Sequence, residues 1–340
     1  MKKFTIISLI LILAGLLSAC GGPRLYQSQF FAMDTLVDVS LYAENSSQAQ
    51  AALAGVEEEF RRLNDLTDRF AGQNLPDPEQ SDVWRINHSF GRPVTVSPDT
   101  LKMVTQALAM GFDSGGALDI TVGKLMDLWD FGGSPHKPDA AEITRALKQV
   151  DYRLVRLETQ SYAVTVPAGM ELDLGAVAKG YATERAGAVL REQGITQAII
   201  NAGGNVLALG RKPDGKKWQV GIRHPRDEGA IAGILELEDQ AAVTSADSER
   251  FFLLDGIRYH HILDPSSGQP ARKLVSVTIV AESSFEADLL STAVFVLGRE
   301  GSRYLLEFHP EAGAVFIDLD LQVEATENIK DIFVGMRSEE

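Results

Sequence analysis

The stretch 172–181, LDLGAVAKGY, combines an acid, several small residues and a lysine at a point where a strand-like piece turns into a helix. Free backbone N–H groups at a helix start can meet phosphate oxygens, and small side chains let such a ligand come close. Lys179 would add a point charge, and Asp173 would accept a hydrogen bond from a sugar or a ring nitrogen. A close-packed helix start with a surface lysine has the same pattern, so both interpretations stay open.

Two further stretches place polar residues beside glycines. The stretch 201–205 lies between two strand-like runs and predicts a tight turn in which the glycines supply positive φ. In 260–268, His261 and Asp264 leave a strand for a turn, and strand ends are common catalytic positions. Successive side chains of a strand point to opposite faces, so only one of His260 and His261 can face a shared pocket. A structural role for both histidines is the alternative.

Asp288 and Thr292 lie four residues apart in a predicted helix, so their side chains share one face. A carboxylate and a hydroxyl suit a hard cation such as magnesium, which takes oxygen ligands and retains waters or ligand phosphates. These two side chains and one carbonyl would suffice. The alternative is that the helix dipole stabilises the acid and that the threonine bonds its own backbone.

The amino terminus has the form of a bacterial lipoprotein signal. Two lysines precede a mostly apolar run, 4–17, which is shorter than the roughly 20 residues that a membrane-spanning helix needs. The run leads to Cys20 in a sequence that resembles a lipobox, where the cysteine becomes the first mature residue and takes a lipid. We expect a signal peptide over 1–19, a lipidated tether over 20–28 and a membrane-anchored, extracytoplasmic (periplasmic-side) location. An ordinary signal peptide with an incidental cysteine is the alternative.

Composition narrows the classes of function. Cys20 is the only cysteine, so no intramolecular disulfide forms and catalysis must rest on oxygen and nitrogen groups. The formal net charge of −15 argues against a nucleic-acid partner, because phosphate backbones are bound by clustered Lys and Arg. The 340 residues allow one large body or two fused subdomains.

The elements that must position these residues begin with helices. Ser46 and Ser47 offer N-caps for a first helix, in which apolar residues between Leu53 and Phe70 repeat at the spacing of one helical face. The breaker-rich stretch 74–78 is expected to end it. Ser97, followed by proline, predicts the start of another helix. A third helix is expected over 284–297, where Gly298 stops it.

Strands dominate the second half of the chain. An early strand is expected over 37–41, and from residue 197 onward the apolar runs are mainly strand-like. Asp255-Gly256 between two such runs is the strongest hairpin signal in the sequence. This mixture, without regular alternation of strand and helix, favours an α+β fold over a doubly wound sheet.

Taken together and in this order, these pieces resemble the ApbE family, the FAD:protein FMN transferases, over essentially the whole mature chain. The matching pieces are Met33-Asp34-Thr35, 81–87, 116–123, 173–181, 201–205, 261–268, and Asp288 with Thr292. Seven weak motifs in register are jointly specific. The resemblance implies a single α+β body over 29–335, in which the active site lies between two fused α/β subdomains.

The resemblance also implies which residues form the site. The FAD site would be lined by Met33, Ala117, Leu118, Asp119, Asp173, Lys179 and Ile262. A magnesium ion would be bound by the Ala176 carbonyl, Asp288 and Thr292. Family members are often lipoproteins, which agrees with the independent observation of Cys20.

Three positions depart from the family pattern. Asp34 and Ala246 stand where the family usually has glycine, and Ser267 replaces a common threonine. Asp34 beside the flavin pocket is expected to alter affinity or local charge.

The reaction that the resemblance implies is attack by a threonine or serine hydroxyl of a target protein on the FMN-side phosphorus of FAD, with AMP leaving. Magnesium on the pyrophosphate would stabilise the developing charge. The hydroxyl needs a base, for which His261 is the candidate, oriented by Asp264. Asp288 acting through a water is the competing base.

Two other functions remain open at this point. Water in place of the protein hydroxyl would give an FAD diphosphatase that releases FMN and AMP. A non-catalytic lipoprotein that binds flavin is the second alternative, although pure binding gives no reason for a metal site at the pyrophosphate. If the enzyme transfers FMN, the partners that the resemblance implies are flavoprotein subunits of redox complexes in the same membrane.

Overall fold

The computed structural model describes residues 22–335, so Cys20 and the expected signal peptide lie outside the described residues. The first strand begins at Arg24 and pairs along its whole length. The expected tether boundary therefore moves from residue 28 back to Pro23, because residues 24–28 are hydrogen-bonded into the main sheet. Over 22–335, none of the helices combines the length and the apolar character that crossing a bilayer requires.

The helices, numbered in chain order, are α1 Ser46–Thr67, α2 Ala71–Asn74, α3 Asp82–Asn87, α4 Pro98–Asp113, α5 Gly123–Trp129, α6 Ala140–Leu147, α7 Ala178–Glu192, α8 Ser284–Gly301 and α9 Arg303–Phe308. Ser97 caps α4 as expected, since its side chain accepts a hydrogen bond from the Thr100 N–H. Gly298 interrupts α8 with φ of 72°, which confirms the predicted stop.

The predicted end of α1 is wrong. The helix stops at Thr67, ahead of the predicted breaker stretch 74–78, and Phe70 is 46% exposed. The reason is local, because the Asp68 carboxylate accepts a hydrogen bond from the Phe70 N–H at 2.8 Å and so competes with the helical ladder. The N-cap of α1 is Asn45, which immediately precedes the predicted serines.

The strands are β1 Arg24–Ala32, β2 Thr35–Ala43, β3 Val94–Thr95, β4 Arg156–Glu158, β5 Ala163–Thr165, β6 Ala198–Ala202, β7 Asn205–Leu209, β8 Trp218–Arg223, β9 Ile231–Leu237, β10 Gln240–Ala246, β11 Phe251–Leu254, β12 Ile257–His260, β13 Leu263–Asp264, β14 Gln269–Pro270, β15 Ser276–Ala281, β16 Gly313–Ile317, β17 Val323–Ala325 and β18 Phe333–Gly335. Eight of them form the main sheet, in the order β1-β2-β6-β7-β10-β15-β16-β17. The pairs between these strands are antiparallel, and together with the helices they confirm the α+β class.

The main sheet is covered on both faces. On one face Val39 and Leu41 of β2 join a core with α1, α7 and α8. On the other face Val280 and Val315 pack against the small sheet β18-β9-β8. Double coverage explains why every residue of β7, β15 and β16 is buried, since neither side of these strands faces water.

A separate aromatic cluster joins α5 and α6 to the β11–β12 hairpin. The hairpin is the one predicted from Asp255-Gly256, and both turn residues have positive φ, 53° and 75°. Trp129 is fully buried at the centre, lies 5.8 Å from the Tyr259 ring, and donates its indole N–H to the Gly268 carbonyl at 2.9 Å. This contact fixes the segment that carries 261–268 against the helices.

Replacing Trp129 by alanine tests how strongly that cluster stabilises the body. Removing a fully buried ring and its hydrogen bond leaves a cavity, and we expect the free energy of unfolding to fall by about 4 kcal/mol. Urea denaturation would show a lower midpoint with an unchanged slope. Trp84→Ala is the control, because that ring is only half-buried and stacks on His88, and it should cost about 1 kcal/mol. Equal losses would contradict a central role for Trp129.

Candidate functional site

One cavity of about 840 Å³ lies where the ends of the main-sheet strands meet α1, α8 and the start of α7. Its volume is in the range of small-molecule and cofactor sites. The expected site residues that line it are Met33, Ala117, Leu118, Asp119, Asp173, Ala176, Lys179, His261, Ile262, Asp288 and Thr292. These residues come from distant parts of the chain, and the fold places them around a single space.

Asp264 is the expected site residue that the cavity does not include. Its carboxylate accepts hydrogen bonds from the backbone N–H and the hydroxyl of Ser266, at 2.9 and 2.6 Å. Asp264 thus stabilises the turn that follows β13, and the structure gives it this partner in place of His261.

The metal residues are positioned by the close packing of α7 against α8. Gly180 makes this approach possible, because a Cβ added there would lie 2.4 Å from the Asp288 Cβ. The Asp288 carboxylate, which is 5% exposed, accepts a hydrogen bond from the Gly180 N–H at 2.7 Å. The N–H of Gly180 at the start of α7 therefore already has an anionic partner from the protein itself.

Burial raises the pKa of the Asp288 carboxyl to about 6, although Lys179 and the Gly180 N–H both oppose the rise. A carboxyl that is this poorly solvated gains much from a cation beside it. Within 22–335 no group of three or more His, Cys, Asp and Glu side chains is arranged to hold a metal ion. A cation site at Asp288 would therefore be built from one carboxylate and uncharged oxygens.

Two buried polar atoms of the cavity wall lack a hydrogen-bond partner among the described residues. They are the Oδ1 of Asn205 and the Nδ1 of His261. Asn205 also places its amide nitrogen 3.5 Å from the Asp288 carboxylate. Buried polar atoms are almost always satisfied, so both atoms point to a bound ligand, ion or water. The sequence interpretation of 201–205 as a tight turn missed this role of Asn205.

His261 and His260 face opposite ways, as their adjacent positions predict. His261 lines the cavity, whereas the His260 ring is buried elsewhere and contacts the Ala271 carbonyl at 2.7 Å. Burial, together with the charge of Lys179, lowers the pKa of His261 to about 3. His261 is therefore a neutral imidazole at neutral pH.

Met33 and Asp34 form the two-residue turn between β1 and β2, with φ of 52° and 56°. This geometry favours glycine, and aspartate is among the residues that also adopt it. The Met33 N–H donates to the Asn64 side chain at 3.0 Å, which holds the turn against α1. The Asp34 carboxylate is exposed and lies 3.5 Å from Arg250 at the cavity mouth, so its charge is partly compensated.

The other two departures fit without strain. Ala246 ends β10 and lines the cavity with a small side chain. Ser267 accepts a hydrogen bond from the Gln269 N–H at 3.3 Å, which a threonine hydroxyl would do equally well.

Asp119 has a supporting position in the cavity wall. Its carboxylate accepts from the N–H and the hydroxyl of Thr121, at 2.7 and 2.6 Å, and from the Tyr152 N–H at 3.0 Å. Burial nevertheless raises its pKa above the ordinary aspartate value. These bonds fix the backbone of 117–121 where it borders the cavity.

Arg69 is a residue of the site that the sequence analysis missed. Its side chain is 9% exposed, lines the cavity, and donates to the Gly123 carbonyl at 3.0 Å. It also contacts three carboxylates, those of Asp127, Glu171 and Asp173, at 2.9, 3.1 and 3.4 Å. One guanidinium thus holds Asp173 in place and joins three separate segments of the wall. No local pattern marks it, because all its partners are distant in sequence.

The chain is similar to known proteins over most of its length. A model of the ApbE family matches residues 33–316. A curated FAD:protein FMN transferase of Klebsiella pneumoniae (strain 342) is 35% identical over 299 residues, which are 86% of this chain and 89% of the relative. Another, from Treponema pallidum (strain Nichols), is 36% identical over 346 residues, 95% of this chain and 93% of the relative.

Solved structures agree with the sequence comparison. The crystal structure of the ApbE protein from Thermotoga maritima has a TM-score of 0.83 at 34% identity and covers 91% of this chain and 99% of that one. The flavin transferase ApbE from Vibrio cholerae has a TM-score of 0.80 at 26% identity, with the same coverage.

The Arg69→Met variant tests the role of the guanidinium in the wall. It leaves three carboxylates without their shared cation, and because these are partly exposed we expect a loss of about 3 kcal/mol in the free energy of unfolding at neutral pH. Arg69 lowers the pKa of Asp127 and of Glu171, so both pKa values should rise in the folded variant. An acid with a raised folded-state pKa costs stability only while it is ionised. The deficit should therefore shrink as the pH falls toward about 4.5.

The matched control is Arg61→Met, in which the arginine is 66% exposed and pairs with Glu57 on the surface of α1. That change should cost about 0.5 kcal/mol or less and show little dependence on pH. Urea denaturation of both variants at several pH values separates the two cases. A pH-independent deficit in Arg69→Met would contradict the electrostatic explanation.

Proposed function

The chain belongs to the ApbE family and is a transferase, and from this premise we propose that it moves FMN from FAD onto a serine or threonine hydroxyl of a target protein. The hydroxyl oxygen forms a bond to the FMN-side phosphorus. The bond from that phosphorus to the bridging oxygen breaks, AMP leaves with the electron pair, and the hydroxyl proton passes to a base. The observation that carries the proposal is the buried Asp288 carboxylate, which faces the same cavity as the unpartnered atoms of Asn205 and His261.

We infer that the reaction requires magnesium and that the Ala176 carbonyl, Asp288 and Thr292 would hold it. The donor set fits, since all three offer oxygen atoms at the cavity and magnesium prefers such ligands. The unpartnered Oδ1 of Asn205, beside Asp288, would accept from a water on the ion. When bound, magnesium supplies positive charge that offsets the charge developing on the pyrophosphate.

Lys179 is positioned to bind a phosphate. It lines the cavity, and its charge lowers the pKa of both Asp288 and His261, so its ammonium lies near both groups. An ammonium in a partly desolvated cavity attracts an anion more strongly than one in open water. The residue would thus hold a pyrophosphate oxygen at the place where the base and the carboxylate meet.

We assign the base to His261. His261 lines the cavity and its Nδ1 is buried without a partner among the described residues, whereas the oxygens of Asp288 are bonded to Gly180 and Asn205. The pKa of about 3 results from burial and from Lys179. A bound pyrophosphate brings negative charge that counteracts Lys179, so the pKa should rise toward the neutral range in which a base is most effective.

We propose further that Cys20 carries a lipid that anchors the enzyme on the extracytoplasmic side of the membrane. The first strand of the folded body begins only four residues after Cys20, at Arg24, so the body would lie close to the bilayer. Flavoprotein subunits of membrane redox complexes are the targets that such an anchor would favour.

A transfer assay with the wild-type chain and the Asp288→Asn variant tests the proposal. The acceptor is a flavoprotein subunit that natively carries covalent FMN, produced without its flavin, and the readout is flavin fluorescence of its band in a denaturing gel. With FAD and magnesium, the wild-type chain should label the acceptor and release AMP. Asp288→Asn should stay folded and lose about 100-fold or more in rate, because it removes the charged ligand.

Asp264→Asn is the matched control, since that carboxylate bonds the Ser266 turn outside the cavity, and its rate should stay within about twofold. A chelator should abolish labelling by the wild-type chain. Undiminished labelling without magnesium would overturn the metal assignment. AMP and FMN release without labelling would identify a diphosphatase instead.

His261→Gln tests the base. The variant should lower the rate of transfer at saturating FAD and acceptor by about 100-fold, while the Kd for FAD changes little. The wild-type rate should fall on the acidic side, because a base is inactive once protonated, and the variant should lose this limb of the pH profile. His136→Ala, an exposed loop histidine, is the control. An unchanged pH profile in His261→Gln would place the base elsewhere.

A further inference from the structure

The β11–β12 hairpin exposes apolar side chains that the transferase chemistry does not use. Its inner part is fixed, because Phe252 and Tyr259 lie against Trp129 in the aromatic cluster. Its tip, which includes Leu253 and Leu254, is exposed to solvent, at 62% and 42%. Exposed apolar side chains that cluster at one place indicate an interaction surface.

The hairpin is continuous with the cavity. Arg250 immediately precedes β11, His261 immediately follows β12, and both residues line the cavity. At another part of the cavity wall lie Phe31 and Phe70, which are 69% and 46% exposed. Exposed apolar groups thus lie both in the cavity wall and on the hairpin whose base borders the cavity.

The hairpin also has an edge open to pairing. Among the described strands β11 pairs with β12 alone, so its outer backbone groups are available to an extended segment. Such a segment can add to a free edge as a further strand, with backbone hydrogen bonds giving affinity and side-chain pockets giving selectivity.

Two arginines stack against aromatic rings of the hairpin. Arg258 of β12 lies over the Phe251 ring at 3.7 Å, and Arg272, which follows β14, lies over the Tyr259 ring at 5.1 Å. Within 22–335 neither arginine forms an ion pair. An acidic side chain on the partner would complement them.

We propose that the β11–β12 hairpin is the docking surface for the acceptor protein, and that it binds an extended apolar segment with an acidic side chain next to the hydroxyl that receives FMN. This inference rests on the proposed function. It explains why a hairpin that is held firmly at its base leaves its apolar tip uncovered, and why the hairpin leads directly to His261 of the cavity.

The experiment compares Leu253→Ser with Leu319→Ser. Leu319 is a closely matched control, because it is also an exposed leucine, at 63%, and does not line the cavity. Transfer to the flavin-free acceptor subunit is measured as a function of acceptor concentration at saturating FAD and magnesium. Leu253→Ser should raise the KM for the acceptor about tenfold with kcat and the Kd for FAD unchanged, since a leucine side chain would no longer be buried on docking. Leu319→Ser should change none of these.

Each result has a distinct meaning. If the wild-type chain leaves no covalent flavin on the acceptor, the proposed function fails, and the docking role fails with it. If the wild-type chain transfers FMN but Leu253→Ser has an unchanged KM for the acceptor, the docking role alone is overturned. Two further measurements test competing partners for the tip. If Leu253→Ser binds phosphatidylglycerol vesicles more weakly and its KM for the acceptor is unchanged, the tip binds the membrane. If the wild-type chain forms a concentration-dependent dimer that the variant does not form, the tip binds a second copy of the chain.

Discussion

The contact between α7 and α8 at Gly180 and Asp288 is the constraint on which the site depends. A methyl group at Gly180 would collide with Asp288, so the carboxylate reaches its place only because that position has no side chain. The backbone N–H of Gly180 then holds an oxygen of Asp288 in a space with little water. Burial raises the pKa of this carboxyl, because its ionised form is poorly solvated there, and a nearby cation would stabilise that form. The helix contact therefore sets the charge properties of the site.

Charge around the cavity is organised by two cations from different parts of the chain. Arg69 neutralises the acids of one wall and leaves Asp173 in a fixed position. Lys179 is the second cation. Its charge lowers the pKa of His261 and opposes the rise in the pKa of Asp288, and the same charge would attract an anion. The first cation is paired within the protein, whereas the second would bind the pyrophosphate in the proposed function. This division would let an acidic protein bind a pyrophosphate.

The local elements of the fold were largely predictable because their signals are local. The Asp255-Gly256 hairpin follows from residues that adopt positive φ, and the start of α4 follows from the Ser97 cap. The end of α1 was misplaced because the Asp68 side chain competes with the helical ladder, and periodicity does not register such a bond. Motif order along the chain identified the family and most of the cavity wall, since six of the seven motifs, all but 81–87, supply wall residues from their own segments.

The sequence by itself determined the chemistry that was possible: oxygen and nitrogen ligands without a disulfide, an acid and a hydroxyl on one helical face, and a histidine at the end of a strand. Only the tertiary structure decided which groups meet. In the folded chain Asp264 bonds the turn at Ser266, Asn205 lies beside Asp288, and Arg69 lies among three carboxylates. The reason is physical, because burial and distance set the strength of a charge or an unpaired polar atom, and both depend on segments that are far apart along the chain.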